Sequence, residues 1–331
     1  MISDSMPHRP LGGLSVSVVG LGCNNFGPGG RVDAAGTRSV IDAALDAGIN
    51  LLDTADTYGA TGGSETLIGE ALRGRRDAVV LATKFGSDMS AEPGCPAGPR
   101  GSREYIRWAV EGSLRRLQTD VIDLYQYHLP DGVTPIADTL GALDELVAEG
   151  RVRFIGCSNV TASALAEAAA VAAREGYASY VSLQNEYSLL NRELETDVLP
   201  ECDRLGVSVL PYFPLANGLL TGKYRRGEDA PAGTRLAGQD GVLADAPTFA
   251  RLEALSGYAA ERGLAMADVA IGALTAHPQI ASVIAGATRP EQARANARAA
   301  RWTPGSEDLA ALDEIFPPPA PRDVKPAGAA G

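Results

Sequence analysis

The stretch Asn50-Leu51-Leu52-Asp53-Thr54-Ala55-Asp56-Thr57-Tyr58-Gly59 sets the pattern by which the whole chain can be read. Its apolar start is typical of a buried strand, and the change to polar residues at Asp53 marks the carboxyl end of that strand. Tyr58 follows in a loop bounded by Gly59. Because tyrosine has an ordinary pKa of about 10, it is a useful proton donor near neutral pH only beside a cation. The stretch therefore favours chemistry over packing and predicts a cation elsewhere in the chain.

Composition and charge narrow the class of protein. The chain has 331 residues, of which 45% are hydrophobic, and its net charge is −12 from 29 basic and 41 acidic residues. Nucleic acids and anionic membranes need a basic face, so neither is expected as a partner. The segment Met1 to Pro10 lacks the apolar core of a signal peptide, and no run of about 18 apolar residues is present to span a bilayer. These features predict a soluble cytoplasmic protein.

Cysteine and histidine usage argues against metal sites and disulfides. Cys23, Cys95, Cys157 and Cys202 are scattered without a C-x-x-C pair, and the chain has only three histidines. Neither a disulfide framework nor a zinc site is indicated. We therefore expect no metal in the functional site.

Short apolar runs alternate with helical stripes along most of the chain. After a hairpin that turns at Gly12-Gly13, strands are predicted at 18–22, 49–53, 78–83, 121–127, 152–157, 181–185, 207–213 and 280–285. Helices are predicted at 33–47, 64–72, 102–117, 135–149, 161–174, 195–205, 248–262, 266–276 and 289–300. Gly20-x-Gly22 does not open a dinucleotide fingerprint, because Asn25 stands where the third glycine belongs.

Eight strands, each followed by a helix, predict an α/β fold of the (β/α)₈ TIM barrel type. Short strands without alternation between apolar and polar residues are typical of a parallel sheet that is buried on both faces. No linker divides the chain, so residues 1–331 are expected to form a single domain, with a mobile tail at 317–331. Long loops are predicted after the third and seventh strands, at 86–101 and 214–247.

Polar residues stand at the carboxyl end of nearly every predicted strand. In a barrel these ends meet at one mouth, where barrel enzymes build their catalytic sites. Taken singly, Asp53 could cap a turn, Lys84 could be a surface lysine and His128 could be a core histidine. Together, a carboxylate, a phenol, an ammonium group and an imidazole on three consecutive strands favour a catalytic site. The cation that Tyr58 requires is then Lys84, which follows the third strand.

Several segments, in this order, resemble the aldo-keto reductases, from about residue 9 to about residue 300. They are Asp53-Thr-Ala-Asp-Thr-Tyr58-Gly, Thr83-Lys84, Gln126-Tyr-His128, Gly156-Cys-Ser158-Asn159, Gln184-Asn-Glu-Tyr-Ser188, the run from Tyr212 to Tyr224, and the run from Gly286 to Asn296. The resemblance implies that Tyr58 is the general acid and that Lys84 lowers its pKa. It also implies that Asp53 holds and charge-balances Lys84, and that His128 orients a carbonyl substrate.

The same resemblance implies a nicotinamide cofactor, NADPH/NADP⁺. Ser158, Asn159 and Gln184 would bind the carboxamide of the nicotinamide, and Tyr212 would stack on its ring. The other cofactor-binding residues that it implies are Pro214, Leu215, Gly218, Leu220, Lys223, Gly286, Thr288, Arg289, Gln292 and Asn296. From the residues alone, Thr288 and Glu291 predict a capping box that starts the last helix, whose amides attract an anion. Arg289 there could bind the 2′-phosphate.

Three functions remain open at this point. The first is NADPH-dependent reduction of an aldehyde or ketone, with a small carbonyl compound as the partner. The second is a nucleotide-binding regulatory or scaffold subunit with little turnover, because such members of the family keep the same residues. The third is an unrelated barrel lyase or isomerase, which would need a phosphate site and no nicotinamide. The residues favour the first, and they predict no oligomeric state.

Overall fold

The fold is a closed parallel barrel. A computed structural model of the chain describes residues 6–238 and 245–320. Eight parallel strands are hydrogen-bonded in the order β10-β3-β4-β5-β6-β7-β8-β9. Their bounds are β3 Val19–Gly22, β4 Leu51–Asp53, β5 Val80–Phe85, β6 Ile122–Tyr127, β7 Val152–Ser158, β8 Tyr180–Gln184, β9 Ser208–Val209 and β10 Val283–Gly286. The predicted (β/α)₈ architecture is confirmed.

The last strand closes the barrel onto the one before it. The Val209 amide donates to the Gln279 carbonyl at 2.7 Å, and the Ala281 amide donates to the Val209 carbonyl at 3.0 Å. One step further along, the Ile284 amide donates to the carbonyl of Pro211 at 2.8 Å. Since no edge of the sheet is left open there, the carboxyl ends of all eight strands converge on one mouth.

Helices cover the outside of the barrel. They are α1 Ala34–Asp46, α2 Gly63–Ala71, α3 Arg103–Leu117, α4 Ile136–Ala148, α5 Ala162–Glu175, α6 Val198–Leu205, α7 Ala246–Glu261, α8 Met266–Thr275, α9 Pro290–Ala299 and α10 Ser306–Ile315. The side chains of the main core lie between these helices and the strands. Among the described residues, no helix is both long enough and apolar enough to cross a membrane.

A hairpin closes the amino-terminal end of the barrel. It consists of β1 His8–Leu11 and β2 Leu14–Ser17, which pair antiparallel as predicted. Leu11 and Val16 are fully buried and pack with side chains of the barrel interior, including Leu51 and Leu124. Gly12 turns the hairpin at φ +58°, a left-handed conformation that suits glycine. The hairpin leaves the opposite end of the barrel open for a site.

Several predicted boundaries shift. The third barrel strand begins at Val80, because residues Arg76–Ala78 form a 3-10 turn. It continues to Phe85 and therefore includes Lys84. The predicted strand 207–213 pairs regularly only over Ser208–Val209. Helix α10 was not predicted. Part of the predicted loop 214–247 and most of the predicted tail 317–331 lie outside the described residues.

The predicted capping box at the start of the last barrel helix is wrong. Helix α9 begins at Pro290, and Arg289 is its N-cap with extended backbone. A residue before proline is restricted to extended conformations, and proline is favoured at the first helical position, so the helix begins one residue later than predicted. Gln292 takes over the capping contact, because its Oε1 accepts from the Thr288 amide at 2.7 Å and from Thr288 Oγ1 at 3.0 Å.

Candidate active site

Lys84 lies at the centre of a buried charge pair at the mouth of the barrel. It lies near the carboxyl end of the third barrel strand, and its side chain is fully buried. Its Nζ donates to Asp53 Oδ2 at 2.7 Å and to the Thr54 carbonyl at 2.8 Å. A buried ammonium group needs such partners, because desolvation disfavours a charge without one. The end of β4 thus supplies both acceptors that hold the lysine.

The ammonium group of Lys84 also reaches Tyr58. Its Nζ lies 3.5 Å from the Tyr58 hydroxyl and 4.9 Å from the centroid of the ring. Burial raises the pKa of Tyr58, and Lys84 opposes that rise. Burial on its own lowers the pKa of Lys84, but Asp53 and Tyr58 together raise it above its ordinary value. At neutral pH the phenol therefore keeps its proton beside a charged ammonium group.

His128 follows β6 and faces Tyr58. The two rings meet edge to face, with their centroids 5.8 Å apart. His128 Nδ1 is 2.9 Å from Ser87 Oγ, so that nitrogen is already engaged. Burial and the nearby Lys84 charge lower the pKa of His128 to about 3. The imidazole is therefore neutral at physiological pH, and its other nitrogen remains to contact a ligand.

The second carboxylate oxygen of Asp53 is held by two amides. Asp53 Oδ1 accepts from Gln126 Nε2 at 3.0 Å and from Gln184 Nε2 at 2.9 Å. Gln126 was not predicted as a site residue, although it pairs with Lys84 in the strand register and begins the motif Gln126-Tyr-His128. Gln184 was predicted to bind a nicotinamide carboxamide. Because its NH₂ group donates to Asp53, its Oε1 is the atom that can accept a hydrogen bond from a ligand.

The three predicted residues at the ends of β7 and β9 lie together. Asn159 Nδ2 donates to the His128 carbonyl and to Ser158 Oγ, both at 3.0 Å. The Tyr212 hydroxyl donates to Asn159 Oδ1 at 2.8 Å. Asn159 has a positive φ of 58°, an uncommon conformation that asparagine tolerates well. The network fixes an aromatic face and two polar side chains beside His128.

These residues line a large cleft at the mouth of the barrel. Its volume is about 670 Å³, within the range of roughly 300–1,000 Å³ typical of ligand sites. The predicted site residues on its wall are Asp53, Tyr58, His128, Ser158, Asn159, Gln184, Tyr212, Pro214, Leu215, Gly218, Lys223, Gly286, Thr288, Gln292 and Asn296. One cleft thus contains most of the predicted site.

Three predicted residues are not on this wall. Lys84 lies behind it, where it contacts Tyr58. Leu220 is fully buried in a separate apolar cluster under helix α7. Arg289 is exposed at the start of α9 and does not line the cleft. Leu220 and Arg289 therefore make no direct contact with the cleft in which they were predicted to bind the cofactor.

Other polar residues on the wall were missed. Arg31, Arg235 and Arg298 all line the cleft. Arg235 Nη2 is 3.3 Å from Asn25 Oδ1, and its Cζ lies 5.3 Å from the centroid of the Phe213 ring. These arginines lie in loops or on a helix with no motif around them, and only the fold brings them to the cleft. They concentrate positive charge in a protein of net charge −12.

The cleft suits a nucleotide that carries phosphates. At its far end, Gly218 lies against Lys223, so that an added Cβ would stand 2.3 Å from Lys223 Nζ. A side chain there would displace the lysine, and glycine keeps this corner open beside a cation. Thr288, Gln292 and Asn296 supply polar side chains on the same wall. Among the described residues, no group of histidine, cysteine and carboxylate side chains could hold a metal ion.

Comparisons with known proteins agree on one family. The family model described as the aldo/keto reductase family matches residues 18–316. An uncharacterized oxidoreductase of Bacillus subtilis (strain 168), YrpG, is 38% identical over 95% of this chain and 97% of its own length. A probable voltage-gated potassium channel subunit beta of Oryza sativa subsp. japonica is 33% identical over 89% of this chain and 91% of its own.

A solved structure shows the same arrangement. The holo form of the aldo-keto reductase AKR11C1 from Bacillus halodurans superposes with a TM-score of 0.78 at 32% identity, and the match covers 96% of this chain and 99% of that one. Together with the family model and the oxidoreductase relative, this match assigns both fold and class. The chain is an oxidoreductase that belongs to the aldo/keto reductase family.

Proposed function

We propose that this protein reduces an aldehyde or ketone to an alcohol with NADPH, and that Tyr58 is the general acid. The observation that carries the proposal is the position of Lys84 Nζ, 2.7 Å from Asp53 Oδ2 and 3.5 Å from the Tyr58 hydroxyl. A buried cation beside a phenol is what a tyrosine needs to release a proton to a substrate. The phenol and His128 both line the cleft.

A nicotinamide bound in the cleft would supply a hydride to the carbonyl carbon. Tyr58 gives its proton to the carbonyl oxygen as negative charge develops there. The phenolate left behind lies next to the Lys84 ammonium group, which stabilises it electrostatically. Asp53 keeps that ammonium group in place by accepting its hydrogen bond.

His128 orients the carbonyl in this proposal. His128 Nδ1 is 2.9 Å from Ser87 Oγ, and in the tautomer that we propose Ser87 donates to Nδ1, so that Nε2 carries the ring proton and can donate to the carbonyl oxygen. Because the imidazole stays neutral, it adds no charge that would compete with Lys84 for the developing oxyanion. His128 and Tyr58 thus hold the same oxygen from two sides.

The remaining cleft residues bind the cofactor. Ser158, Asn159 and Gln184 would hold the carboxamide, with Gln184 contributing its Oε1, and Tyr212 would offer its ring for stacking. Pro214, Leu215, Gly218 and Lys223 line the cleft and would contact the pyrophosphate, whereas Leu220 of the same loop is buried in the apolar cluster under α7. Gly286, Thr288, Gln292 and Asn296, which line the same cleft, would contact the adenosine part.

A preference for NADPH over NADH is part of the proposal, and Arg289 is the residue assigned to the 2′-phosphate. Its guanidinium suits phosphate by paired hydrogen bonds. It is exposed and directly follows Thr288, which lines the cleft. Arg298 lines the cleft itself but is 3.4 Å from Asp268, so it already has an acidic neighbour. The sequence also offers Arg294 on α9 as a rival to Arg289, but Arg294 does not line the cleft, so Arg298 is the main alternative.

The test is to measure the oxidation of NADPH in the presence of a panel of small aldehydes and ketones. The reaction is monitored through the near-ultraviolet absorbance of the reduced nicotinamide ring. Turnover that depends on the carbonyl compound supports the proposal. The second candidate is a nucleotide-binding regulatory subunit with little turnover, which the rice relative favours. Tight NADPH binding by fluorescence titration, with no oxidation for any carbonyl compound, would favour that alternative.

A further inference from the structure

The carboxyl group of Asp56 is buried in the active-site loop, and the proposed reaction leaves it unused. Asp56 is 1% exposed and precedes Tyr58 by two residues. Among the described residues, neither of its oxygens has a hydrogen-bond partner of good geometry. The amide of Thr57 is close enough only to favour the ionised form slightly. An ionised carboxylate in such a place would be strongly disfavoured.

The charged and titratable groups around Asp56 do not supply the missing partner. Of the two cations, Lys84 is bonded to Asp53 at 2.7 Å and Arg116 to Glu65 at 2.7 Å. The other oxygen of Glu65 accepts from Thr83 at 2.6 Å. The charged and titratable groups that interact with Asp56 are Lys84 on β5, Cys95 in the loop after β5, Glu65 on α2, Arg116 and Tyr105 on α3, and Tyr125 on β6. Each cation thus already has its own carboxylate.

We propose that Asp56 holds its proton at neutral pH and acts as a positioning residue for Tyr58 and Lys84. With Asp56 neutral, Lys84 and Asp53 form a balanced pair. An ionised Asp56 would add a second negative charge near Lys84 and would weaken the effect of that cation on the phenol.

The peptide unit that joins Ala55 to Asp56 contacts both residues. Its amide donates to the Lys84 carbonyl at 3.2 Å, and the Tyr58 amide donates to the Ala55 carbonyl at 3.2 Å. A charge on Asp56 would draw water toward this segment and disturb the position of Tyr58. The effect on Tyr58 rests on the proposed function, whereas the proton on Asp56 does not.

The proton on Asp56 is tested by the pH dependence of stability. Unfolding exposes Asp56, whose ordinary pKa is about 4, so unfolding at neutral pH releases its proton. A raised pKa in the folded protein means that stability is lost as pH rises from about 4 toward the folded pKa. Asp56→Asn and Asp56→Leu cannot lose this proton. The ratio of the wild-type equilibrium constant for unfolding to that of either variant should therefore rise with pH, by up to about tenfold per pH unit.

Urea unfolding of the full chain at a series of pH values measures this ratio. Asp120 supplies the matched control, since Asp120→Asn makes the same chemical replacement at an exposed position. Using two substitutions separates titration from packing, because a packing defect shifts the ratio equally at every pH. A ratio that stays constant with pH, or that falls as pH rises, would overturn the proposal.

A second readout tests the consequence for Tyr58. The kcat/KM of Asp56→Asn should decline at a higher pH than that of the wild type, because the variant cannot acquire the second negative charge. If kcat/KM of the variant and of the wild type declined identically at alkaline pH, the link to Tyr58 would be refuted, even if the unfolding experiment showed the proton on Asp56. If the wild type reduces no carbonyl compound, the proposed function fails, and the unfolding experiment still decides the state of Asp56.

Discussion

Replacing Lys84 by methionine tests the electrostatic basis of the proposed acid. Methionine keeps the length and apolar stem of the side chain but removes the charge. Lys84 Nζ lies 3.5 Å from the Tyr58 hydroxyl in a buried setting. At an effective dielectric constant of about 20, a cation at this distance stabilises a phenolate by about 5 kcal/mol, which corresponds to 3–4 pKa units.

The net effect is smaller, because the Asp53 charge opposes that of Lys84. Asp53 Oδ2 is 2.7 Å from Nζ and therefore near the phenol too. We expect kcat/KM for a good carbonyl substrate to fall by about 10² to 10⁴, the usual contribution of a general acid. Asp53→Asn should cost less, because Lys84 keeps its charge. The double variant should be little worse than Lys84→Met, because the two residues act as a unit.

The assay is steady-state oxidation of NADPH, with NADPH affinity measured separately by fluorescence. Breaking a buried ion pair typically destabilises a protein by about 3–5 kcal/mol, so each variant must first be shown to be folded by circular dichroism. Lys84→Arg is the matched control, because it keeps a charge at this position. A folded Lys84→Met protein with kcat/KM within tenfold of the wild type would refute the reasoning, as would fully additive losses in the double variant.

Three further predictions follow from the site. Tyr58→Phe should retain NADPH binding, and its turnover should fall by a factor of about 10² to 10⁴. If the variant kept most of its turnover, another group would be the acid. Arg289→Ala should weaken NADPH about ten- to a hundredfold and leave NADH nearly unchanged, since charge-assisted hydrogen bonds contribute about 1.5–3 kcal/mol. Titrations of Arg294→Ala and Arg298→Ala serve as comparisons, and equal weakening of both nucleotides by Arg289→Ala would contradict the assignment. Because His128 has a pKa of about 3 in the folded protein and about 6.5 when unfolded, it costs stability as pH falls from about 6.5 toward 3. His128→Gln should therefore lose less stability than the wild type over this range in urea unfolding, and parallel curves would show that folding does not lower the pKa of His128.

The amino-acid sequence by itself determined the architecture and the central site residues. The fold could be predicted because a strand–helix unit is a local pattern, repeated with enough regularity to be counted. Asp53, Tyr58, Lys84 and His128 could be found because parallel strands bring their carboxyl ends together whatever the details of packing. Even where the third strand shifted to Val80–Phe85, Lys84 remained near its carboxyl end.

Only the tertiary structure decided the partners of these residues. Gln126 reaches Asp53 through the register between β5 and β6, and Glu65 pairs with Arg116 across two helices. The same contacts leave Asp56 without a partner among the described residues. Hydrogen bonds between residues far apart in the chain depend on register and side-chain direction, which local periodicity does not encode. For the same reason, the arginines that line the cleft could be recognised only in the folded barrel, which brings together the loops and the helix that carry them.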